Sequence, residues 1–315
     1  MTQIQKILIS VVIATHNRDF YLDKAIYSLS IQTLAKESYE VIIIDNASTD
    51  KTKEIAEKHL TSNSLNLHYV YSSEPSANKA RNIGWQKAQG KYVVFMDDDA
   101  IAVQEWLERI VSGFQNVSPS PGIIGGKVVP IWEKEPPDWL HPKLYGALSL
   151  IDYSPEKTFL DKKLPFSVNM SFQKTLLAQY GGFDIALGRK GDKLLSGDET
   201  AIAIRIRNAG YKVYYDPAIE VGHHIPSGRL NQSWFTKRYY WGGYSDALMW
   251  RILEKPTPLQ WVKQLGTYIY GFLRNPSHIF YIRKETYNPE VFWFKCIVYA
   301  RIGYIRGLFD SSKNS

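Results

Sequence analysis

Cysteine is almost missing from this sequence of 315 residues, because Cys296 is the single one. One thiol excludes an internal disulfide bond and is typical of a reducing compartment, so we expect a cytoplasmic protein. The leading residues also lack a basic segment followed by an apolar stretch and a small-residue cleavage site. We therefore expect no signal peptide.

A segment able to span a membrane is missing from the aromatic end of the sequence. Residues 291–309 are rich in aromatic and aliphatic side chains, but they include Lys295, Arg301 and Arg306. Three charges in so short a stretch argue against a spanning helix, since each charge is costly in the bilayer core.

A glycine-rich phosphate loop is also missing after the first predicted strand, where the sequence reads Thr15-His-Asn-Arg18. A dehydrogenase with a GxGxxG turn is therefore excluded. A nucleotidyltransferase acting on sugar phosphates normally carries a glycine-rich loop at the same point, so the sequence disfavours that class and leaves it as an alternative.

Acidic residues are scarce in the last third of the sequence. Residues 223–315 contain 13 Lys or Arg against five Asp or Glu, whereas the preceding residues carry 25 against 26. Twenty aromatic residues also follow Gln232. This asymmetry predicts an enzyme-like region over 1–225 and a helical, basic and aromatic region over 226–315.

Strand and helix patterns alternate through the first hundred residues. The predicted strands are Lys6–Ala14, Tyr39–Ile44, Leu67–Tyr71 and Tyr92–Met96, and the predicted helices are Asp19–Gln32, Thr52–Leu60 and Ser76–Gln89. This order predicts an α/β fold with a doubly wound, mostly parallel central sheet flanked by helices. Ligands of such a sheet bind at the carboxyl ends of its strands. Further on we expect strands at Ser167–Phe172, Tyr211–Tyr215 and Ala218–Val221, a helix at Glu199–Ala209, and a proline-rich loop over 130–142.

Three acidic residues, Asp97, Asp98 and Asp99, directly follow the fourth predicted strand. Adjacent carboxylates repel one another, so such a cluster persists where a cation or solvent compensates the charge. In an extended segment Asp97 and Asp99 point the same way and can act together. Carboxylate oxygens suit Mg²⁺ or Mn²⁺, which keep open positions for substrate phosphates. A solvated acidic turn is the alternative.

A second acidic point, Asp45, ends the second predicted strand. A carboxylate there can accept a hydrogen bond from a base or ribose, or it can cap the helix that follows. His16 and Arg18 follow the first predicted strand at the same edge. His16 can stack on a base, or its role can be purely structural.

Together these segments resemble the family 2 glycosyltransferases of bacterial type, whose catalytic domain has the GT-A fold. The matching segments stand in family order over about residues 7–224 and read VVIATHNR (11–18), VIIIDNASTD (41–50), ANKARNIG (77–84), VVFMDDDA (93–100), NMSF (169–172), GGFD (181–184), SGDET (196–200) and RNAGYKVYYDPAIEVGHH (207–224). The resemblance implies that a sugar moves, with inversion, from a nucleotide-diphosphate sugar to an acceptor hydroxyl. Polysaccharide, glycan or glycolipid biosynthesis would use such a reaction.

The resemblance implies a set of residues that bind the nucleotide-sugar. In it Asp45 contacts uracil or another base, and Ala14 and His16 form the wall of that pocket. Arg81 helps to neutralise the diphosphate, although composition alone allows a plain helix-surface arginine. The complete set is Ala14, His16, Arg18, Asp45, Arg81, Asp97, Asp98 and Asn169.

The resemblance also implies the metal ligands. Asp99 is the ligand of Mn²⁺ or Mg²⁺, and Asp97 lies beside it on the ribose side. A histidine after the last matched strand, His223, approaches the metal or the diphosphate in related enzymes. The pair His223-His224 can equally be a surface feature, and its spacing to other residues does not suit zinc.

The general base of the reaction is expected in Gly197-Asp198-Glu199. Inverting transfer needs a carboxylate that takes the proton from the attacking acceptor hydroxyl. Many family members read Glu-Asp where this sequence reads Asp-Glu, so alignment by position favours Glu199 and keeps Asp198 as the alternative. Both residues also suit the start of the predicted helix.

The basic and aromatic region after residue 225 predicts a peripheral contact with the inner face of the cell membrane. Aromatic rings mixed with Lys and Arg suit the lipid headgroup zone and would bring the enzyme to a lipid-linked acceptor. An aromatic packing layer or a dimer contact is the alternative. Trp132 and Trp139, in the predicted loop, can stack on acceptor sugars or anchor the loop.

Two non-catalytic functions are alternatives to an enzymatic one. A carbohydrate-binding relative without activity would keep the same fold. A nucleic-acid-binding module would suit the basic tail. The acidic edge of the front region would repel phosphates unless metal is bound, so we expect no nucleic-acid partner.

Overall fold

A computed structural model describes residues 7–62, 65–189, 193–274 and 286–310 of the chain. The chain divides into two compact units. The first unit contains residues 1–131, 149–185 and 202–224, and the second contains 132–148, 186–201 and 225–315.

Nine strands and nine helices are described in these ranges. The strands are β1 (Ile9–Thr15), β2 (Tyr39–Asn46), β3 (Leu67–Ser72), β4 (Tyr92–Phe95), β5 (Ala100–Ala102), β6 (Ile123–Trp132), β7 (Thr158–Phe159), β8 (Met170–Gln173) and β9 (Val213–Ile225). The helices are α1 (Asp19–Ser30), α2 (Thr52–Thr61), α3 (Ala77–Lys87), α4 (Trp106–Asn116), α5 (Lys174–Tyr180), α6 (Asp198–Asn208), α7 (Gln232–Glu254), α8 (Pro258–Leu273) and α9 (Pro289–Leu308). Short 3₁₀ turns lie at Lys36–Ser38, Pro142–Leu148, Ser167–Asn169 and Ser227–Arg229.

One mixed sheet runs in the order β3-β2-β1-β4-β8-β6-β9-β5, and β7 pairs with β9. The strands β3, β2, β1 and β4 are parallel, as the alternating pattern predicts. The pairs β4–β8, β6–β8, β7–β9 and β5–β9 are antiparallel. The α/β fold class is confirmed, with the parallel part confined to four strands.

Strands β1, β2 and β4 owe their form to burial on both faces. All eight residues of β2 are buried, and so are six of the seven in β1. Crossover helices cover both faces of a parallel sheet. The strands beneath them are therefore buried on both sides, which explains their continuous β-branched sequence. In β1 and β2 the polar side chains therefore lie within one residue of a strand end.

Strand β9 is longer than the two short strands that the sequence predicts. Asp216-Pro217 reads as a turn, yet the strand continues through it. Tyr214 and Tyr215 pair with β7, and the part from Val221 to His223 pairs with β5. The proline lies between these two paired stretches, where its missing N–H costs neither ladder a hydrogen bond.

Helices α7 and α9 of the second unit pack closely through glycine. A Cβ atom at Gly243 would overlap the backbone carbonyl of Ala300, and one at Gly303 would overlap that of Tyr240. In α9, Phe292 is buried with its ring against other aromatic rings. The stretch 291–309 therefore forms a packing layer against α7, which is the alternative that the sequence left open.

No helix within the described ranges is long and apolar enough to cross a membrane. Within the predicted basic and aromatic region 226–315, helix α8 covers Pro258–Leu273, and residues 275–285 lie outside the described residues.

Candidate active site

Three ligand-bearing side chains converge at one edge of the sheet. One ligand atom from each of Asp97, Asp99 and His223 lies within 4.8 Å of the others. Asp99 and His223 are buried, and a carboxylate oxygen of Asp99 lies 3.2 Å from Nε2 of His223. Octahedral ligands at about 2.1 Å from a cation stand roughly 3 to 4 Å apart, so this donor set fits a divalent cation.

The sheet pairing creates this convergence. Asp97 and Asp99 lie in the segment that joins β4 to β5, and β5 pairs antiparallel with β9 so that Ala100 faces His223. The backbone N–H of His224 then donates to the carbonyl of Asp99 at 2.9 Å. Strand β5 is only three residues long and leaves no clear pattern, so the sequence did not predict it.

Two arginines face the two carboxylates. Arg18 lies 3.8 Å from an oxygen of Asp99, and Arg81 lies 3.8 Å from an oxygen of Asp97. Arg81 also donates to the Ser167 hydroxyl at 3.3 Å and is mostly buried. It is therefore not a plain helix-surface residue, and the site combines carboxylates with cations that suit phosphate oxygens.

Asp98 shares the acidic segment but sits in a different environment. Burial raises the pKa of Asp98 to about 7, and repulsion by the charge of Asp99 adds to that rise. A carboxyl group of this kind holds its proton far more readily than an ordinary aspartic acid. The three acidic residues are therefore chemically unequal.

Asp45 lies at the end of β2 and is fixed by two hydrogen bonds. Its carboxylate accepts from the backbone N–H of Ser48 at 2.8 Å and from the hydroxyl of Tyr69 at 2.6 Å. Burial and this bond raise the pKa of Tyr69. Sequence reasoning missed Tyr69, although its place on the neighbouring strand β3 is the signal that could have found it.

His16 and Ala14 stand at the same end of the parallel strands. The His16 ring is exposed, and its Nδ1 lies 2.7 Å from the carbonyl oxygen of Asn46. Asn17 adopts a left-handed backbone and accepts the N–H of Thr49 at 2.7 Å. These bonds tie the loop after β1 to the loop after β2 and orient the exposed ring.

Asn169 is buried, and both ends of its side-chain amide have protein partners. Its oxygen accepts from the Trp106 indole at 3.0 Å. Its nitrogen donates to the carbonyls of Lys127 and Ile219 at 3.0 and 2.8 Å. The amide thereby joins three elements of the first unit, a structural role that the sequence did not predict.

Asp198 and Glu199 form the first turn of α6, as the sequence predicts for the pair. Both belong to the second unit, where α7 holds the loop that precedes them. Arg238 donates to the Ser196 hydroxyl at 3.0 Å, and the Ser196 N–H donates to the Ser245 hydroxyl at 3.0 Å. Burial lowers the pKa of Arg238, and the charge of Glu199 opposes that shift.

The two predicted acceptor platforms differ in exposure. Trp139 is buried and packs edge-to-face against Phe235 and Phe292, so it anchors its segment. Trp132, the last residue of β6, is partly exposed and lies edge-on to Tyr145.

Comparisons with known proteins identify the family of this chain. The sequence pattern of the family described as Glycosyl transferase family 2 matches residues 10–170, slightly more than half of the chain. A glucosyl-dolichyl phosphate glucuronosyltransferase of Haloferax volcanii is 26% identical over 76% of this chain and 77% of that protein. Glycosyltransferase AglE of the same organism is 27% identical over 86% of this chain and 83% of its own length.

Solved structures share the fold. A mannosyltransferase from Pyrobaculum calidifontis, solved with GDP-Man and Mn²⁺, aligns with a TM-score of 0.64 at 17% identity over 96% of this chain and 88% of that one. The S. aureus protein TarS 1-349, solved with UDP-GlcNAc, gives 0.57 at 18% identity over 78% of this chain and 67% of its own. The family match covers both carboxylates of the candidate metal group, and the chain belongs to the family 2 glycosyltransferases with a GT-A fold.

Proposed function

We propose that this glycosyltransferase transfers a sugar from a UDP-sugar to the hydroxyl of a glycan or lipid-linked acceptor, with inversion at the anomeric carbon. The observation that carries the proposal is the group of Asp97, Asp99 and His223, with ligand atoms within 4.8 Å and an arginine 3.8 Å from each carboxylate. Such a group recognises a diphosphate through a divalent cation and through cationic side chains.

The donor half of the reaction uses residues of the first unit. Asp97, Asp99 and His223 would hold Mn²⁺ or Mg²⁺, and the nitrogen donor of His223 favours Mn²⁺ because Mg²⁺ prefers oxygen ligands. A cation held there would stabilise the negative charge on the departing nucleoside diphosphate. Arg18 and Arg81 supply further positive charge toward the same oxygens.

The nucleotide base would meet the edge formed by Ala14, His16 and Asp45. Ser48 and Tyr69 hold the Asp45 carboxylate in one orientation. A carboxylate offers about four acceptor positions, so two remain for an N–H of uracil. The exposed imidazole of His16 provides a flat surface for stacking.

Glu199 is proposed as the general base, with Asp198 beside it as the alternative. A general base must be ionised to accept the acceptor proton. Glu199 interacts electrostatically with Arg238, whose positive charge suits a carboxylate at this position. Replacing Glu199 by Gln should abolish transfer while donor binding survives, whereas Asp198→Asn should retain measurable transfer; the reverse result would exchange the two roles.

The acceptor is proposed from the similarity to the Haloferax enzyme that acts on a glucosyl-dolichyl phosphate. An acceptor of that kind is anchored in lipid, so the enzyme would work at the inner face of the cell membrane. Transfer to a synthetic polyprenyl-phosphate sugar, compared with the same sugar free in solution, measures this preference.

The donor is tested by thermal shift with Mn²⁺ and a panel of UDP-glucose, UDP-GlcNAc, UDP-glucuronic acid and GDP-mannose. The right donor should raise the melting temperature, because binding to the folded state stabilises it.

Asp99→Asn should remove Mn²⁺-dependent donor hydrolysis. Asp216→Asn is a matched control, since Asp216 is equally buried and salt-bridged to Lys157 instead. Hydrolysis that is independent of Mn²⁺ and unchanged in Asp99→Asn would contradict the proposal. In a separate reaction, release of pyrophosphate from UTP and a sugar 1-phosphate would indicate a nucleotidyltransferase.

A further inference from the structure

Helix α8 has two apolar faces, and among the residues that the structure describes only one of them is packed. On the inner face the Trp261 indole donates to the carbonyl of Leu308 at 3.3 Å, and the Tyr268 ring stacks on that of Tyr304 with centroids 3.8 Å apart. These contacts hold α8 against α9 within the second unit. The helix is thereby fixed in place through its inner face.

The other face exposes apolar side chains in a single stripe. Leu259, Val262, Ile269 and Tyr270 are 78%, 59%, 44% and 63% exposed. At 3.6 residues per turn they fall within an arc of roughly 120° on the side opposite Trp261. Gly266 lies in the same arc and adds no side chain that could interrupt the stripe. Contiguous exposed apolar surface of this kind marks an interaction site.

The charges around the stripe select the kind of partner. From Lys255 to Arg274 the sequence contains those two residues and Lys263 as its basic residues, and no Asp or Glu. All three basic side chains are exposed. The exposed Glu254 directly precedes this segment, and the charge around the stripe is otherwise positive. An apolar stripe with such an excess of positive charge matches a membrane surface that carries anionic lipids.

Helix α1 provides a comparison for the charges that surround the α8 stripe. Helix α1 also exposes apolar side chains, with Phe20 and Tyr27 each 61% exposed and Ile31 beyond its end 40% exposed. However, α1 carries the acidic residues Asp19 and Asp23. The basic Lys24 also lies 4.2 Å from the centre of the Phe20 ring. The charges around these side chains are therefore mixed, and α1 lacks the positive excess that α8 offers to anionic lipid.

We propose that the exposed face of α8, formed by Leu259, Val262, Ile269 and Tyr270, docks on the surface of a membrane containing anionic lipids. The apolar side chains enter the boundary between headgroups and acyl chains, and Lys255, Lys263 and Arg274 remain at the headgroups. The helix lies along the surface and does not cross it. The proposal deepens the lipid-linked acceptor of the proposed function, yet vesicle binding requires no transfer, so the two can fail separately.

The test is flotation of the full chain with vesicles of phosphatidylcholine and phosphatidylglycerol, and with vesicles of phosphatidylcholine alone. The protein should float with the anionic vesicles, and added salt should weaken the binding. The triple variant Leu259→Gln, Val262→Gln and Tyr270→Gln should bind at least tenfold more weakly. The matched control carries Phe20→Gln, Tyr27→Gln and Ile31→Gln, and should bind like the unmodified chain.

Thermal melting of both triple variants establishes that they fold. Equal vesicle binding by the α8 variant and the unmodified chain would overturn the proposal, as would loss of binding in the α1 variant alone. Sedimentation velocity distinguishes a second copy of the chain as the partner. If the unmodified chain is a dimer, the α8 variant a monomer, and vesicle binding the same in both, the face is a dimer contact and the proposal fails.

Discussion

Nε2 of His223 lies 3.2 Å from a carboxylate oxygen of Asp99, although the two residues belong to distant parts of the chain. The antiparallel pairing of β5 with β9 sets this distance, because it places Ala100 opposite His223. The pair therefore supplies two of the three side chains of the proposed metal site. Its chemistry should depend on both residues.

Replacement of His223 by Ala should weaken Mn²⁺ binding roughly tenfold or more, because one of three converging ligand atoms is lost. The matched control is His224→Ala, whose ring rests against Tyr21 and is not part of the converging group. Calorimetric titration with Mn²⁺ in the presence of UDP measures the affinities. Equal loss in both variants would argue for a general disturbance of β9.

Replacement of Arg238 by Ala should lower kcat roughly 100-fold and leave the KM of the donor nearly unchanged. The guanidinium holds Ser196, so its loss releases the loop before Glu199 without touching the residues proposed for the donor. Arg238→Lys should recover part of the rate, because it keeps the charge and loses the planar geometry. Steady-state kinetics give both constants, and Lys237→Ala, at the exposed neighbouring position, is the control. An increase in the donor KM alone would refute the role of Arg238 in positioning the loop before Glu199.

Replacement of Asn169 by Ala should lower the free energy of unfolding by about 1–3 kcal/mol, since it leaves the buried Trp106 indole and two carbonyls without their partner. Urea unfolding measures this loss. The same variant separates a structural role from a donor-binding one. A destabilised protein with unchanged donor affinity supports the structural role, whereas weaker donor binding without destabilisation supports the role that the family resemblance implies.

Adjacent glycines in α7 should respond in opposite ways to alanine. At Gly243 a Cβ atom would overlap the Ala300 carbonyl, so Gly243→Ala should separate α7 from α9 and destabilise the second unit by roughly 1–3 kcal/mol. At Gly242 nothing lies within 4 Å of the added atom, so Gly242→Ala should stabilise the helix by about 0.5–1 kcal/mol. Thermal unfolding of the two variants compares them directly, and equal melting temperatures would mean that the close approach is not required.

Local sequence patterns were enough to predict the secondary structure of the first hundred residues. The apolar runs predicted β1, β2 and β4, because a strand buried on both faces is apolar along most of its length. For the same reason Asp45 and the triplet Asp97-Asp98-Asp99 were predicted at strand ends, where polar groups can leave the core. The order of the matched segments then indicated family 2 of the glycosyltransferases. The match of that family's sequence pattern to residues 10–170 confirmed the prediction.

Only the tertiary structure decided how distant residues meet. Strand β5 is too short to leave a pattern, yet its pairing sets His223 beside Asp99. The sequence likewise left open whether Arg81 lies on a helix surface, whether Trp139 is exposed, and which face of α8 is packed. Residue type and spacing determine the chemistry that each side chain is capable of. The partners it finds depend on long-range pairing and burial, which a single strand or helix does not encode.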